Sequence, residues 1–110
     1  MATETRKVLG QAALAATTLT DVYTVPAATQ AVISTMVVTN RAGSSTNFRL
    51  SVAVAGAADN SKQYLYYDVT IPAFETFCST IGVTLNTTDV VRAYAGNSNL
   101  SVNLFGVEIV

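Results

Sequence analysis

Six Lys and Arg, seven Asp and Glu, five Tyr and one Cys supply the ionisable side chains of this 110-residue chain, which has no His and no Trp. Without His, neither a Ser-His-Asp nor a Cys-His nucleophile can be assembled, and His-based metal sites are excluded. A single thiol, Cys78, makes neither a structural zinc centre nor an internal disulfide. No Gly-rich phosphate loop leads into a helix with a Lys. Carboxylates are the remaining acid/base candidates. Asp21, Asp59, Asp68, Glu75, Asp89 and Glu108 fall one to a segment. Asp59, Glu75 and Asp89 sit in or beside expected loops, where solvation is the usual state, and Asp68 sits on an expected outward face. A glycosidase-like pair would need to form in three dimensions, and so charge-poor a chain offers little to support one. The expectation is a protein that is not an enzyme, with no catalytic residue, metal ligand or cofactor.

Aromatic and basic side chains carry the more informative pattern. Tyr64, Tyr66 and Tyr94 fall on the polar faces of their expected strands, and Arg49 and Arg92 on similar faces. Tyr and Arg are favoured at protein interfaces, because they join contact area to a hydrogen-bonding tip. These five are the interface candidates. Tyr faces also suit sugar stacking, and cross-strand Tyr pairs can simply stabilise a solvated sheet face. Cys78 lies opposite Phe77 and Ile81 in parity with no basic neighbour, which reads as a structural thiol.

Positioning such residues falls to strands, because the dominant period is two. Phe48, Leu50, Val52 and Val54 alternate with Asn47, Arg49, Ser51 and Ala53. Leu65, Tyr67, Val69 and Ile71 alternate with Tyr64, Tyr66, Asp68 and Thr70, which turns the first set inward. Phe77, Ser79, Ile81, Val83 and Leu85 would share a face of one further strand. Residues 31–40 read as a central strand covered on both faces, with Ile33, Thr35 and Val37 opposite Val32, Met36 and Val38. After Leu100, Val102 and Leu104 the parity changes, and a bulge at Gly106 would return Val107 and Ile109 to the core. Shorter strands fit residues 6–11, 19–25 and 90–95. Turn residues punctuate these runs at Pro26, 41–45, 56–61, Pro72, 86–88 and 96–99. About eight evenly spaced strands indicate an all-β antiparallel sandwich, of jelly-roll or immunoglobulin-like type.

Ala, Thr and Val fill 47 of the 110 positions, and charged residues only 12%. Half the residues are hydrophobic, which argues against disorder. The net charge is -1 and the basic residues are scattered, so nucleic acid is not an expected partner. No apolar run is long enough to cross a membrane as a helix, and no signal peptide is recognisable after Met1. Synthesis in the cytoplasm is expected. A surface so poor in charge is suited to being covered by neighbours, which points to a homo-oligomer or larger assembly. Residues 1–16 read as an N-terminal arm that includes a first strand, and 17–110 as a single sandwich domain. Loss of residues 1–11 should then leave a folded domain.

Three stretches carry a resemblance: Leu19-Thr20-Asp21-Val22-Tyr23-Thr24-Val25-Pro26-Ala27-Ala28-Thr29, Val37-Val38-Thr39-Asn40-Arg41, and Tyr64-Leu65-Tyr66-Tyr67-Asp68-Val69-Thr70-Ile71-Pro72. A strand ending in Tyr-Thr-Val-Pro leads to an apolar strand closing with Asn-Arg. In this the chain, over nearly its whole length after Arg6, resembles small structural proteins of tailed bacteriophages, particularly cyanophages and other aquatic phages. The resemblance implies a virion location and, first, a capsid cement (decoration) protein whose partner is the major capsid protein. A tail or fibre module is the close competitor. No site motif of that group is carried over to residues here. From a different class, a small carbohydrate-binding sandwich using Tyr64, Tyr66 and Tyr94 is the alternative.

Overall fold

The computed structural model describes residues 3–110, which form nine strands in two antiparallel sheets. The strands are β1 (Glu4–Ala13), β2 (Thr20–Thr24), β3 (Gln30–Asn40), β4 (Thr46–Ala53), β5 (Tyr64–Ile71), β6 (Thr76–Ser79), β7 (Val83–Leu85), β8 (Val90–Ala95) and β9 (Leu100–Ile109). One sheet runs β1-β9-β3, with β6 and β7 pairing successive halves of the far edge of β3. The other runs β2-β8-β4-β5. With β6 and β7 counted as one interrupted strand, this interleaved order is the eight-stranded, double Greek key of a jelly roll. It is not the order of an immunoglobulin domain, so the two expected topologies separate in favour of the first.

The core lies between the sheets. Phe48, Leu50 and Val91 from one sheet meet Met36, Val38, Val102 and Leu104 from the other, and all but a trace of their surface is buried. Strand β4 follows its alternation closely: Phe48 and Leu50 point in, while Asn47 and Arg49 point out. Val54, expected to extend that inward row, instead begins a single 3-10 turn (Val54–Gly56) and is exposed.

Further expectations are corrected by the structure. First, β5 carries extra residues opposite β4. The register steps from Val69 to Tyr66 while β4 steps from Phe48 to Leu50. Asp68 adopts a left-handed backbone with φ 52°, a conformation that Asp tolerates better than most side chains. Parity therefore reverses: Tyr66 points into the core, while Leu65 and Tyr67 are exposed. Second, the run from Phe77 to Leu85 is not one strand, because residues 80–82 leave the sheet between β6 and β7.

Third, β9 itself continues without a bulge. The extra residues lie in its two neighbours at the same level, Leu9 in β1 and Ser34 in β3. The Ser34 hydroxyl donates to the Phe105 carbonyl at 3.1 Å, satisfying an acceptor that the bulge loosens from the ladder. Gly106 therefore keeps the inward parity of Leu104, and a Cβ there would collide with the Val32 carbonyl oxygen. Val107 and Ile109 stay on the outer face, half-buried, instead of returning to the core. The bulge at Ser34 also moves Ile33 inward with Met36 and leaves Val32, Thr35 and Val37 outward. No described element covers that side, so β3 is central within its sheet but not buried on both faces.

Fourth, the first strand expected within the N-terminal arm is present, but it belongs to the sandwich and does not stand outside it. From Glu4 to Ala13 it pairs with β9 as a full edge strand, and Leu9 and Leu14 belong to the core. Leu14 N–H then donates to the Leu100 carbonyl and Ala16 bridges to Ala95 of the opposite sheet. The domain thus includes the residues expected to lie outside it; Met1 and Ala2 lie outside the described residues. Of the carboxylates expected in solvent, Asp89 is buried. It braces one end of the sandwich by accepting from Ala55 N–H at 2.9 Å and Asn86 N–H at 2.8 Å. No helix among the described residues is long and apolar enough to cross a membrane.

Candidate functional site

Adjacent strands β4 and β8 place Arg49 directly beside Tyr94 on the outer face of the four-stranded sheet. On the other flank, the irregular β5 sets Tyr67 and Asp68 opposite the same arginine. The guanidinium carbon of Arg49 lies 4.2 Å from the centroid of Tyr67 and 4.4 Å from that of Tyr94. Both distances are within cation–π range. Arg49 also donates through Nε to Asp68 Oδ1 at 2.6 Å and through a terminal nitrogen to Oδ2 at 3.2 Å. Asn47 adds a third hydrogen bond to Oδ1 at 2.8 Å. These bonds, chiefly that from Arg49, hold the Asp68 carboxyl below the usual carboxylate range and raise the guanidinium in turn. A planar fork that both stacks and binds a carboxylate bidentately is chemistry that Lys does not reproduce.

Tyr64 extends the cluster. Its ring meets Tyr67 edge-on at 5.1 Å between centroids, and its hydroxyl donates to Asp59 Oδ1 at 2.9 Å. Partial burial, then the Asp59 bond, pushes this phenol above its ordinary value. Asp59 precedes a second single 3-10 turn (Ser61–Gln63). There the Asn60 side chain accepts from Lys62 N–H, while the Gln63 side chain accepts from Asn60 N–H and donates to the Ala58 carbonyl. Beside these groups lies an open recess of about 550 Å³ lined by Arg49, Asp59, Ser61, Tyr64 and Tyr67. It offers tyrosine rings, three hydroxyls and a carboxylate. The charge of Arg49 is already neutralised by Asp68 and its faces are stacked on two rings, so the recess suits neutral hydroxyl-bearing groups better than phosphate.

Of the five interface candidates, three come together here: Arg49, Tyr64 and Tyr94. Tyr66 does not. Its ring packs 5.9 Å from Phe48 and 5.3 Å from Phe77, and its hydroxyl meets Ser79 Oγ at 2.6 Å. Arg92 lies nearby but serves as a brace, donating to Asp21 at 2.9 Å and to the carbonyls of Ala57 at 2.7 Å and Gly56 at 3.3 Å. Tyr67 is the member that strand alternation hid. The signal for it is slight: two adjacent tyrosines followed by Asp, a residue at ease with positive φ.

The other broad surface is the outer face of β1, β9 and β3. Register places Val8, Phe105, Val107, Ile109, Val32 and Val37 on it, interspersed with Thr35, Ser101 and Asn103. Charge on this face is confined to Glu4 and Arg6 of β1. Cys78, which was expected as a structural thiol, is exposed on the same side at β6. Among the described residues, no group of three or more His, Cys, Asp or Glu could hold a metal ion. No protein-family model matches the chain, and no curated protein matches it either.

Proposed function

We propose that this chain is a non-enzymatic structural protein of a tailed-phage virion, a capsid cement protein that binds the major capsid protein and stabilises the head. The observation that carries the reading is the outer face of β1, β9 and β3, a sheet-wide surface with charge only at its β1 margin. Half-buried Val, Phe and Ile among Thr, Ser and Asn make the composition of a surface that is covered in use. The resemblance of the Tyr-Thr-Val-Pro and Asn-Arg stretches to small phage structural proteins supports it. The jelly roll is compatible, being shared by viral capsid and lectin domains, and does not separate those two roles.

The test is decoration of heads. Heads lacking the protein, mixed with purified chain, should take it up at a copy number comparable to capsomers and resist heating or dilution better. Val107→Glu, on that charge-poor face, should abolish uptake while the variant remains folded. Uptake in only a few copies per particle, at the tail, would replace this role with that of a tail or fibre module. No association with particles would end the reading.

A second reading is favoured by the recess at Tyr64, Tyr67 and Asp59: a small carbohydrate-binding sandwich. In that case the isolated domain should bind a glycan array and lose binding in Tyr67→Ala. Tyr66→Ala is the wrong probe, because Tyr66 is partly buried and packs against the core.

A further inference from the structure

Phe74 is a large apolar side chain at a loop tip with 73% of its surface exposed, and its backbone has φ 60°. A bulky residue rarely adopts that conformation without being held there. The restraint comes from Asn40, which is buried at the end of β3. Its Nδ2 donates to the carbonyls of Ser44, Ile71 and Pro72 at 2.9, 3.1 and 3.1 Å, and its Oδ1 accepts from Ala42 N–H at 3.0 Å. Main-chain bonds from Phe74 N–H to the Ala42 carbonyl and from Asn40 N–H to the Glu75 carbonyl complete the clamp. Two loops are thus tied into a rigid tip that holds a phenyl ring in solvent with the Glu75 carboxylate beside it. Preorganised aromatic tips of this kind favour binding, since little ordering remains to be done.

A matching socket lies elsewhere on the same chain. Val8, Phe105 and Val107, with Ser34 and Arg6, border an open recess of about 560 Å³ on the outer face of the five-stranded sheet. It is mostly apolar and carries the cations Arg6 and Lys7, the latter paired with Glu108, which makes it the complement of Phe74 beside Glu75. Within one molecule the two cannot meet, because six residue steps along β3 separate Ser34 from Asn40, about 20 Å of strand. We infer that Phe74 and Glu75 of one copy dock into the Val8–Phe105–Val107 recess of a second copy, with Glu75 facing Arg6. Knob and socket occupy different surfaces, so the contact is heterologous and builds rings or chains of subunits. The inference rests on the self-association within the proposed role, and it requires no capsid.

Sedimentation velocity on the full chain tests it. The wild type should form species that grow with concentration, and Phe74→Ala should weaken association by about tenfold or more. Val8→Glu and Arg6→Glu should each do the same from the socket side, with unfolding midpoints near that of the wild type. The decisive sample mixes Phe74→Ala with Val8→Glu in equal amounts. One retains only a socket and the other only a knob, so the pair should form a dimer that grows no further. Should Val8→Glu fail to fold, Arg6→Glu replaces it in the mixture. A wild type that stays monomeric, a Phe74→Ala variant that associates normally, or a mixture that does not pair would each overturn the inference. A monomeric chain that still decorates heads overturns it while leaving the cement role intact; a chain that associates in this way yet ignores heads does the reverse.

Discussion

Tyr23, on β2, donates its phenolic hydrogen to Glu108 Oε2 of β9 at 2.7 Å, joining the two sheets through a nearly buried bond. Lys7 reaches the other carboxylate oxygen at 3.1 Å. The uninterrupted run of β9 makes this pairing possible, since Glu108 keeps the inward parity of Leu104 and Gly106. Removing the hydroxyl in Tyr23→Phe leaves part of a charged acceptor without its partner. The expected cost is about 2 kcal/mol, in the range for hydrogen bonds to charged groups, read from urea unfolding at neutral pH.

The same bond fixes how stability depends on pH. The Tyr23 hydrogen bond, then Lys7, depresses the Glu108 carboxyl, so its contribution is present above the ordinary carboxylate range and is lost as pH falls below it. Burial, then Glu108, raises the Tyr23 phenol, so its contribution is present below about pH 10, the ordinary tyrosine value, and fades as pH rises beyond it. Unfolding midpoints measured across pH should show a plateau that declines at both ends. In Tyr23→Phe both declines should be shallower.

Tyr66 and Tyr67 are neighbours in sequence and opposites in role. Tyr66→Ala empties a partly buried site between Phe48 and Phe77 and should cost about 3 kcal/mol, at the low end for large-to-small changes at aromatics. Tyr67→Ala removes an exposed ring from one side of Arg49 and should cost about 1 kcal/mol or less. Chemical denaturation of the two variants measures the difference directly. Equal costs, or the reverse order, would contradict the inverted parity of β5.

Strand existence was largely legible in the sequence, and parity was legible only where no residue is inserted. β4 and β8 run without bulges, so alternation placed Phe48, Leu50, Arg49 and Tyr94 correctly. In β5 a single left-handed Asp68 exchanges the faces of Tyr66 and Tyr67, and side-chain type gives little warning of it. At the C-terminal end the change of pattern near Gly106 was visible. The extra residues sit in the strands on either side, however, and pairing between strands far apart in sequence is not written in local periodicity. The same holds for the first strand: Ala-rich, charged at its start, it resembles a tail until β9 is seen to receive it. The Arg49 cluster was half legible, since its residue types stood out while its fourth member, Tyr67, depended on the bulge.

Because β1 is built into the sheet, removing residues 1–11 should not leave a folded domain. Leu9 leaves the core, and β9 loses its β1 neighbour over most of its length, leaving it paired on one side only, with β3. The truncated chain should lack near-ultraviolet dichroism and aggregate through the bared edge of β9. The milder Leu9→Ala should fold, with a loss of about 2–4 kcal/mol in urea titration.

Gly106 tests how tightly the sheet is built around β9. Alanine at this position would press its methyl group on the Val32 carbonyl and on Leu9. A destabilisation of about 1–3 kcal/mol is expected, typical of overpacking, and visible as a lowered thermal midpoint.

The pairing of β1 with β9 also sets a timetable. As the chain leaves the ribosome, its opening strand has no partner until some ninety residues later, when the strand that lies between it and β3 emerges. The order of synthesis and the order of the sheet therefore run against each other, and the early segments must wait unpaired. Chains dominated by such distant pairings fold slowly and are exposed to aggregation while they do. Glu4, Arg6 and Lys7, the cluster of charge at the start of β1, keep that waiting strand soluble until its place in the sheet exists.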